Sequence, residues 1–382
     1  MKRLLIEAQE DGLAIALVND KRLTAFCHDA PAGPLAAENI YLGVVDRIVK
    51  GIEAAFVRLG KDAMGFLPFA ECPVRPHSGD RLLVQIKRPP IGEKDAYLTC
   101  DVTLAGRYCL LAPMSRGVAY SKRMTAEERA RMKPVAQAIC PPGMGVIMRN
   151  ESVAAQEEDV AAEADRLKAE WERLLETAAA GCEPRLLRAR DSELTHLMRN
   201  ERGAIEEALT NAPEACAGLP MPVRYAQSPF ELYHVRAQLE KSFQRKVWLD
   251  CGGFLVVDRT EALTVIDVNS GKFTGGKTGT EATFLKLNRE AAQEIARLMR
   301  LRRMGGIILV DFVDMQQPAS REAVLAAMQE ALADDPVKTV VHGFTSLGLM
   351  ELTRKKTEDA FAPLTLCPCC HGTGLNEEKI TC

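Results

Sequence analysis

Two apolar runs, each ending in an acid and separated by a helical stretch, limit what this chain can fold into more than any other feature. Leu263-Thr264-Val265-Ile266 leads into Asp267, and Ile307-Ile308-Leu309-Val310 leads into Asp311, with a helix expected over 280–303 between them. A strand–helix–strand unit lays its two strands side by side with their carboxyl ends together, and ligand sites in α/β sheets gather at such ends. Alternate residues of a strand share a face, so Asp267 and Asn269 project the same way. Two carboxylates and an amide oxygen are hard donors, which magnesium accepts while keeping several waters. A metal so held polarises a phosphodiester and lowers the pKa of an attacking water. A single Asp at a strand end is more readily a turn or cap residue; two acids with a same-face Asn shift the reading toward a metal site, and spacing alone leaves the two balanced. Asp314 stands on the same footing, as a further ligand or as the cap of the next turn.

The remaining chain reads as an α/β multidomain protein. Residues 1–35 alternate as strands up to the Pro31-Ala32-Gly33-Pro34 punctuation. Short β-rich runs follow at 40–49, 53–59, 82–87 and 96–103, broken by glycines 43, 51, 60 and 65, a spacing that suits a small OB-type barrel. After a mixed segment, Val160, Ala164, Leu167, Trp171 and Leu174 recur at helical spacing and predict an amphipathic helix with an acidic outer face. A loop-rich, helical stretch runs to about Lys241. The last third alternates strand and helix (247–249, 254–258, 263–268, 280–303, 307–312, 319–333), as an α/β layer does.

Charge and cysteine usage narrow the function classes. The net charge of −3 argues against indiscriminate nucleic-acid binding. Residues 151–176 hold nine acids and three bases, a local −6, which leaves +3 for everything else and permits basic faces there. No apolar run approaches the roughly 18 residues of a membrane span, and Glu7 and Glu10 break the short apolar start, so it reads as a strand and not a signal peptide. Twelve cysteines without a disulfide framework suit a reducing compartment, and a cytoplasmic protein is expected.

Two further motifs carry chemistry. Gly271, Gly276, Lys277 and Thr278 match a phosphate-loop spacing. The preceding strand ends at Val268, however, and Gly279-Thr280 still separate the motif from its helix, unlike a true Walker loop. A P-loop-like NTPase is therefore the weaker rival. Cys367-x-x-Cys370-x-Gly372-x-Gly374 is a zinc-knuckle pattern. Tetrahedral zinc needs four ligands and no second C-x-x-C occurs, so the economical arrangement is a Cys₄ zinc shared by two chains, giving a homodimer. Cys369 leaves the choice of ligand open, and a redox role for these thiols is the alternative.

The order of motifs closely resembles the ribonuclease E/G family over nearly the whole chain. The resemblance rests on Asp267-Val268-Asn269-Ser270-Gly271, Glu290-Ala291-Ala292, Ile295-Ala296-Arg297-Leu298, Arg300-Leu301-Arg302, Gly305-Gly306-Ile307-Ile308 and Asp311-Phe312-Val313-Asp314-Met315. It continues through Leu347-Gly348-Leu349, Glu351, Thr353-Arg354-Lys355 and the cysteine knuckle. Upstream it takes in Ser242-Phe243-Gln244-Arg245, Asn39-Ile40-Tyr41 and Gly65-Phe66-Leu67-Pro68. The resemblance implies an endoribonuclease in which Asp267 and Asp311 hold a catalytic Mg²⁺ and Asn269 positions the scissile phosphate. Its substrate would be single-stranded, A/U-rich RNA, cut to 5′-phosphate and 3′-hydroxyl ends in rRNA processing and mRNA decay. An RNA-binding factor that has lost catalysis on the same scaffold is the alternative. The implied layout is an RNase H-like subdomain split between 1–35 and 187–242, an OB barrel at 36–103, and a 5′-sensor region with the acidic helix at 104–186. A DNase I-like catalytic subdomain at 243–363 and a zinc-link end at 364–382 complete it. Because longer members carry another small domain after the knuckle, while this sequence ends at Cys382, a dimer held by structural Zn²⁺ on Cys367 and Cys370 is expected, not a tetramer.

Two RNA-contact regions are expected. On the strand around residues 53–59, Phe56 and Arg58 share an outer face suited to base stacking and phosphate attraction, and Phe56 and Phe66 fall at RNA-contacting positions of the family. Tyr41 and Lys94, both more weakly than Phe66, extend that platform. The family reads a 5′-monophosphate with an Arg-Thr pair. Here the pair is Arg149-Asn150, whose amide still donates to phosphate but equally suits capping of the acidic helix. Lys122 and Arg123 are supporting cations or plain surface charges.

Overall fold

A computed structural model describes residues 1–356 apart from 32, 62, 91–93, 202 and 272–279. The chain forms two compact units, Met1–Asp29 with Gly203 onward, and Ala30–Arg202.

In the second unit, strands Ile40–Val49, Ala54–Arg58, Met64–Pro68, Ala96–Thr99 and Arg81–Arg88 pair in that order, and the last pairs back onto the first. The result is a closed five-stranded, OB-like barrel. Val45, Val57, Leu67, Val84, Ile86 and Leu98 fill it. Gly65 lets two strands close, because a Cβ there would lie 2.5 Å from Leu98 Cδ1. Strand Arg185–Arg188 adds to the barrel edge beside Ile40–Val49. A four-stranded sheet and helices Ala126–Ile139 and Glu157–Ala179 make up the rest of the unit. The longer helix buries Val160, Ala164, Leu167, Trp171 and Leu174, the stripe expected from spacing, and leaves most of its acids outward.

The first unit holds two sheets. In one, Lys2–Gln9, Gly12–Asn19 and Arg22–Asp29 form an antiparallel meander, and the short strands Glu207–Thr210 and Val223–Tyr225 continue it in parallel beyond Lys2–Gln9. The second has the order Lys246–Trp248, Phe254–Arg259, Leu263–Asn269, Gly306–Asp311, Met350–Arg354, Thr339–Phe344. Helices Thr280–Leu301 and Pro318–Leu332 share a core with its buried face through Leu287, Ala291, Ile295, Val324 and Met328. Leu263–Asn269 alternates buried and exposed along its length, so its buried residues face the helices and Asp267 faces away. Glu294, only 2% exposed, ties the first helix to the meander through Arg22 (2.7 Å) and Arg297, whose Nη1 donates to Leu23 O at 2.9 Å. Among the described residues no helix is long and apolar enough to cross a membrane.

Candidate functional site

Leu263–Asn269 and Gly306–Asp311 are adjacent parallel strands, and their register sets Asp267 directly beside Asp311. Both side chains stand on the face away from the helices, at the carboxyl ends of the strands. Asn269 is two residues on, and its Nδ2 donates to Asp267 Oδ2 at 2.7 Å. Burial, followed by the negative charges of Asp267 and Asp314, raises the Asp311 pKa above the ordinary carboxylate range. A carboxylate held among like charges is a place where a cation lowers the electrostatic energy.

Helix side chains that spacing did not single out hold the loops around this cluster. Asn288, fully buried, donates through Nδ2 to Val313 O at 2.8 Å and accepts from Val313 N at 3.2 Å. Glu281 accepts from the backbone of Gln316 and Gln317, and Glu290 accepts from Cys251 N. The available signal was an Asn in the apolar stripe that runs through Leu287, Ala291 and Ile295.

Among the described residues no group of three or more His, Cys, Asp or Glu forms a metal cage. The assembled donors are instead two carboxylates with an adjacent amide. That set fits magnesium, which takes one or two carboxylates, keeps waters and draws its remaining oxygens from phosphate. Most of the Gly-rich motif, including Gly276, Lys277 and Thr278, and the whole knuckle, Cys367, Cys369 and Cys370, lie outside the described residues.

On the barrel, Phe56 and Phe66 are cross-strand partners with ring centroids 5.8 Å apart, and Phe66 meets Tyr97 at 6.1 Å. The guanidinium of Arg47 lies 4.5 Å over the Phe56 ring and that of Arg88 lies 4.3 Å over Tyr97. Phe56, Phe66, Arg88, Lys94 and Tyr97 line a cavity of about 430 Å³. Arg58 is half-exposed on the same strand, 3.9 Å from Asp46, and does not line that cavity. Tyr41 is not part of the platform. It is 4% exposed within the barrel core, and its hydroxyl donates to Pro34 O. Arg47, Arg88 and Tyr97 went unread because sequence does not show which charged residues of neighbouring strands meet a ring.

Arg149 follows strand Gly145–Met148. Its Nη1 donates to Gly106 O at 2.6 Å, its Nη2 donates to Asn200 Oδ1 at 2.5 Å, and its Nε lies 3.8 Å from Glu151. Burial, ahead of the neighbouring charges, lowers its pKa from the ordinary arginine value. Asn150 does not cap the acidic helix. It opens a separate 3₁₀ turn, Asn150–Ala154, and the helix starts at Glu157 after Gln156. Lys122 and Arg123 are exposed on the turn before helix Ala126–Ile139.

Comparison with known proteins follows the same lines. The model of the ribonuclease E/G family matches residues 103–357. Ribonuclease G of Escherichia coli strain K12 is 36% identical over 374 residues, covering 88% of this chain and 76% of that protein. Ribonuclease G of Haemophilus influenzae is 33% identical over 409 residues, 97% of this chain and 83% of that protein. Ribonuclease E of a Nostoc species is 35% identical over 370 residues, 88% of this chain and 54% of that protein.

Proposed function

The chain belongs to the ribonuclease E/G family and is an endoribonuclease, and on that premise we propose that it cuts single-stranded, A/U-rich RNA with Mg²⁺ held by Asp267 and Asp311. The observation that carries this reading is the register of Asp267 beside Asp311, with Asn269 hydrogen-bonded to the first of them. When bound, Mg²⁺ supplies charge stabilisation at the phosphodiester and a lowered pKa for the attacking water. The protein's own part is positional. Asn269 fixes the Asp267 carboxylate with one amide N–H and keeps a second N–H for a phosphate oxygen. Asn288 and Glu281 hold the backbone that follows Asp311. Attack of water on phosphorus with departure of O3′ leaves a 5′-phosphate and a 3′-hydroxyl, the ends suited to rRNA processing and mRNA decay.

The barrel platform gives a reason for single-strand preference. Its aromatic faces take unstacked bases of any sequence, whereas duplex bases are already stacked on one another. A single-stranded oligonucleotide should therefore be cut in magnesium while the same sequence held in a duplex stays intact. If the single strand also stays intact, the reading fails. Truncating Phe56 or Phe66 to Ala should remove ~1–3 kcal/mol of stacking, roughly a 5- to 150-fold rise in Kd, measured by fluorescence anisotropy. An unchanged Kd for both variants would remove the platform.

We propose that Arg149 and Asn150 sense a 5′-monophosphate, with Lys122 and Arg123 in support. Two of the five Arg149 N–H groups are engaged by Gly106 and Asn200, which orients the guanidinium without exhausting its donors. The expected result is a higher kcat/KM for 5′-monophosphorylated than for 5′-hydroxyl RNA. Arg149→Lys, which keeps the charge but loses the planar fork, should bring the two closer together. Equal rates in the unmodified protein would dismiss the sensor. We propose the subdomain layout that the family resemblance implies, and strand order supports it. The meander extended by two parallel strands supports an RNase H-like assignment, and the sheet bearing the acids supports a DNase I-like one. We also propose a Cys₄ zinc on Cys367 and Cys370 of two chains, supported by the ligand count and the family resemblance, in a homodimer whose cysteine usage suits the cytoplasm.

A further inference from the structure

We propose that Trp248, backed by Phe254 and Lys246, is a shelf on which a nucleobase of the bound RNA stacks beside the carboxylate pair. The proposal rests on the nuclease reading of that pair. Pairing across the sheet sets Trp248 opposite Phe254 and Phe254 opposite Asn269. The neighbouring row runs Lys246, Val256, Asp267, Asp311. Residues in register across a sheet share a face, so the indole stands on the acidic face, two strand spacings or about 10 Å from Asn269.

The indole is 57% exposed, although a tryptophan ordinarily contributes most of its large apolar area to a core or an interface. It is held in place nonetheless. Its ring lies 5.2 Å from that of Phe254, and Lys246 Nζ lies 4.4 Å from the Trp248 ring and 3.6 Å from the Phe254 ring. An oriented aromatic surface joined to a cation is the combination that binds single strands, by stacking the base and attracting the phosphate. The surroundings favour RNA over a second protein surface. Lys246 lies on the indole itself, and Asp267 and the exposed Arg245–Asp258 pair stand further along the same face, whereas the centre of a protein interface is depleted of charged residues.

The chain has two tryptophans, and the other, Trp171, is 5% exposed in a core, so an indole signal that responds to RNA reports Trp248. Short single-stranded RNA added to the whole-chain Asp267→Asn protein, expected to hold RNA while cutting it far more slowly, should quench the fluorescence. Adding Trp248→Phe should abolish the quench and retain most of the affinity. In the otherwise unmodified chain, Trp248→Ala should lower kcat/KM by about 5- to 100-fold. It should also remove the penalty that an abasic nucleotide near the cut imposes on the unmodified protein. If the protein cuts RNA but Trp248→Ala cuts it equally well and no quench occurs, the shelf is overturned while the nuclease stands. If Trp248→Ala instead turns a dimer into monomers by light scattering with kcat/KM unchanged, the indole belongs to a contact between chains and the proposal is overturned. If the unmodified protein cuts no RNA, the nuclease reading falls first.

Discussion

Asp267→Asn is expected to slow RNA cleavage by about 10³-fold or more while changing RNA affinity by less than about threefold. The substitution keeps shape and removes one negative charge, so the strand register with Asp311 and the barrel platform stay as they are. On the proposed reading it removes a carboxylate ligand of an ion whose charge stabilisation is worth several kcal/mol in the transition state, and each 1.36 kcal/mol is a factor of ten in rate. The loss should fall on kcat with KM nearly constant, as for an interaction made mainly in the transition state. RNA affinity should rise slightly if it moves at all, because a negative charge near phosphates has gone. Asp311→Asn should behave alike, and the double variant should be little worse than either, since the two acids act as a unit. A single-turnover assay beside a binding isotherm measures both quantities. Retention of a tenth of the activity by Asp267→Asn would remove that acid from the catalytic centre.

Asp335→Ala should produce the largest loss of stability, about 3–5 kcal/mol. Arg354 and Asp335 form a two-pronged pair, Nε–Oδ2 at 2.7 Å and Nη2–Oδ1 at 3.1 Å, with side chains only 3% and 1% exposed. Arg354 Nη1 also donates to Met304 O at 2.8 Å, and Asp335 accepts from Val337 N and Thr339 Oγ1. The pair thereby pins strand Met350–Arg354, the direct neighbour of the strand that ends in Asp311. Removing the acid leaves a buried guanidinium uncompensated, which is why one partner lost costs more than both replaced by apolar residues. At roughly 2–4 °C per kcal/mol for a unit of this size, thermal unfolding should move down by about 6–20 °C. Asp335→Leu combined with Arg354→Met should recover much of that shift. A melting point for Asp335→Ala within about 2 °C of the unmodified protein would mean that the pair does not hold the sheet together.

Much of the site was readable from sequence because its geometry is carried by strand period and connection handedness. Each acid ends an apolar run and a helix lies between the runs, which allows parallel pairing with the carboxyl ends together; the register that sets Asp267 beside Asp311 comes from the structure. The amphipathic helix was equally plain, since Trp171 and its neighbours repeat at helical spacing over about four turns. Strands Glu207–Thr210 and Val223–Tyr225 were not read. With four and three residues they have too little length to show a period; Glu207–Thr210 is a strand because Lys2–Gln9 offers it an edge for parallel pairing, and Val223–Tyr225 because Glu207–Thr210 does the same in turn. Met350–Arg354 does alternate buried and exposed, but its five residues follow a Gly-containing loop and its role depends on the distant Asp335. Trp248 lies in a three-residue strand where sequence does not distinguish an exposed indole from a core one. Asn288 and Glu281 acquire their roles only when the helix packs beside the loop that they hold.

The most direct test of the carboxylate-pair account is to map the ends left on an internally cut, single-stranded RNA in magnesium and again in excess chelator. The account predicts a 5′-phosphate on the downstream fragment, a 3′-hydroxyl on the upstream fragment, and loss of both products in chelator that added magnesium reverses. Ends carrying a 2′,3′-cyclic phosphate, which require the RNA's own 2′-oxygen as nucleophile, or cutting that continues undiminished in chelator, would contradict it.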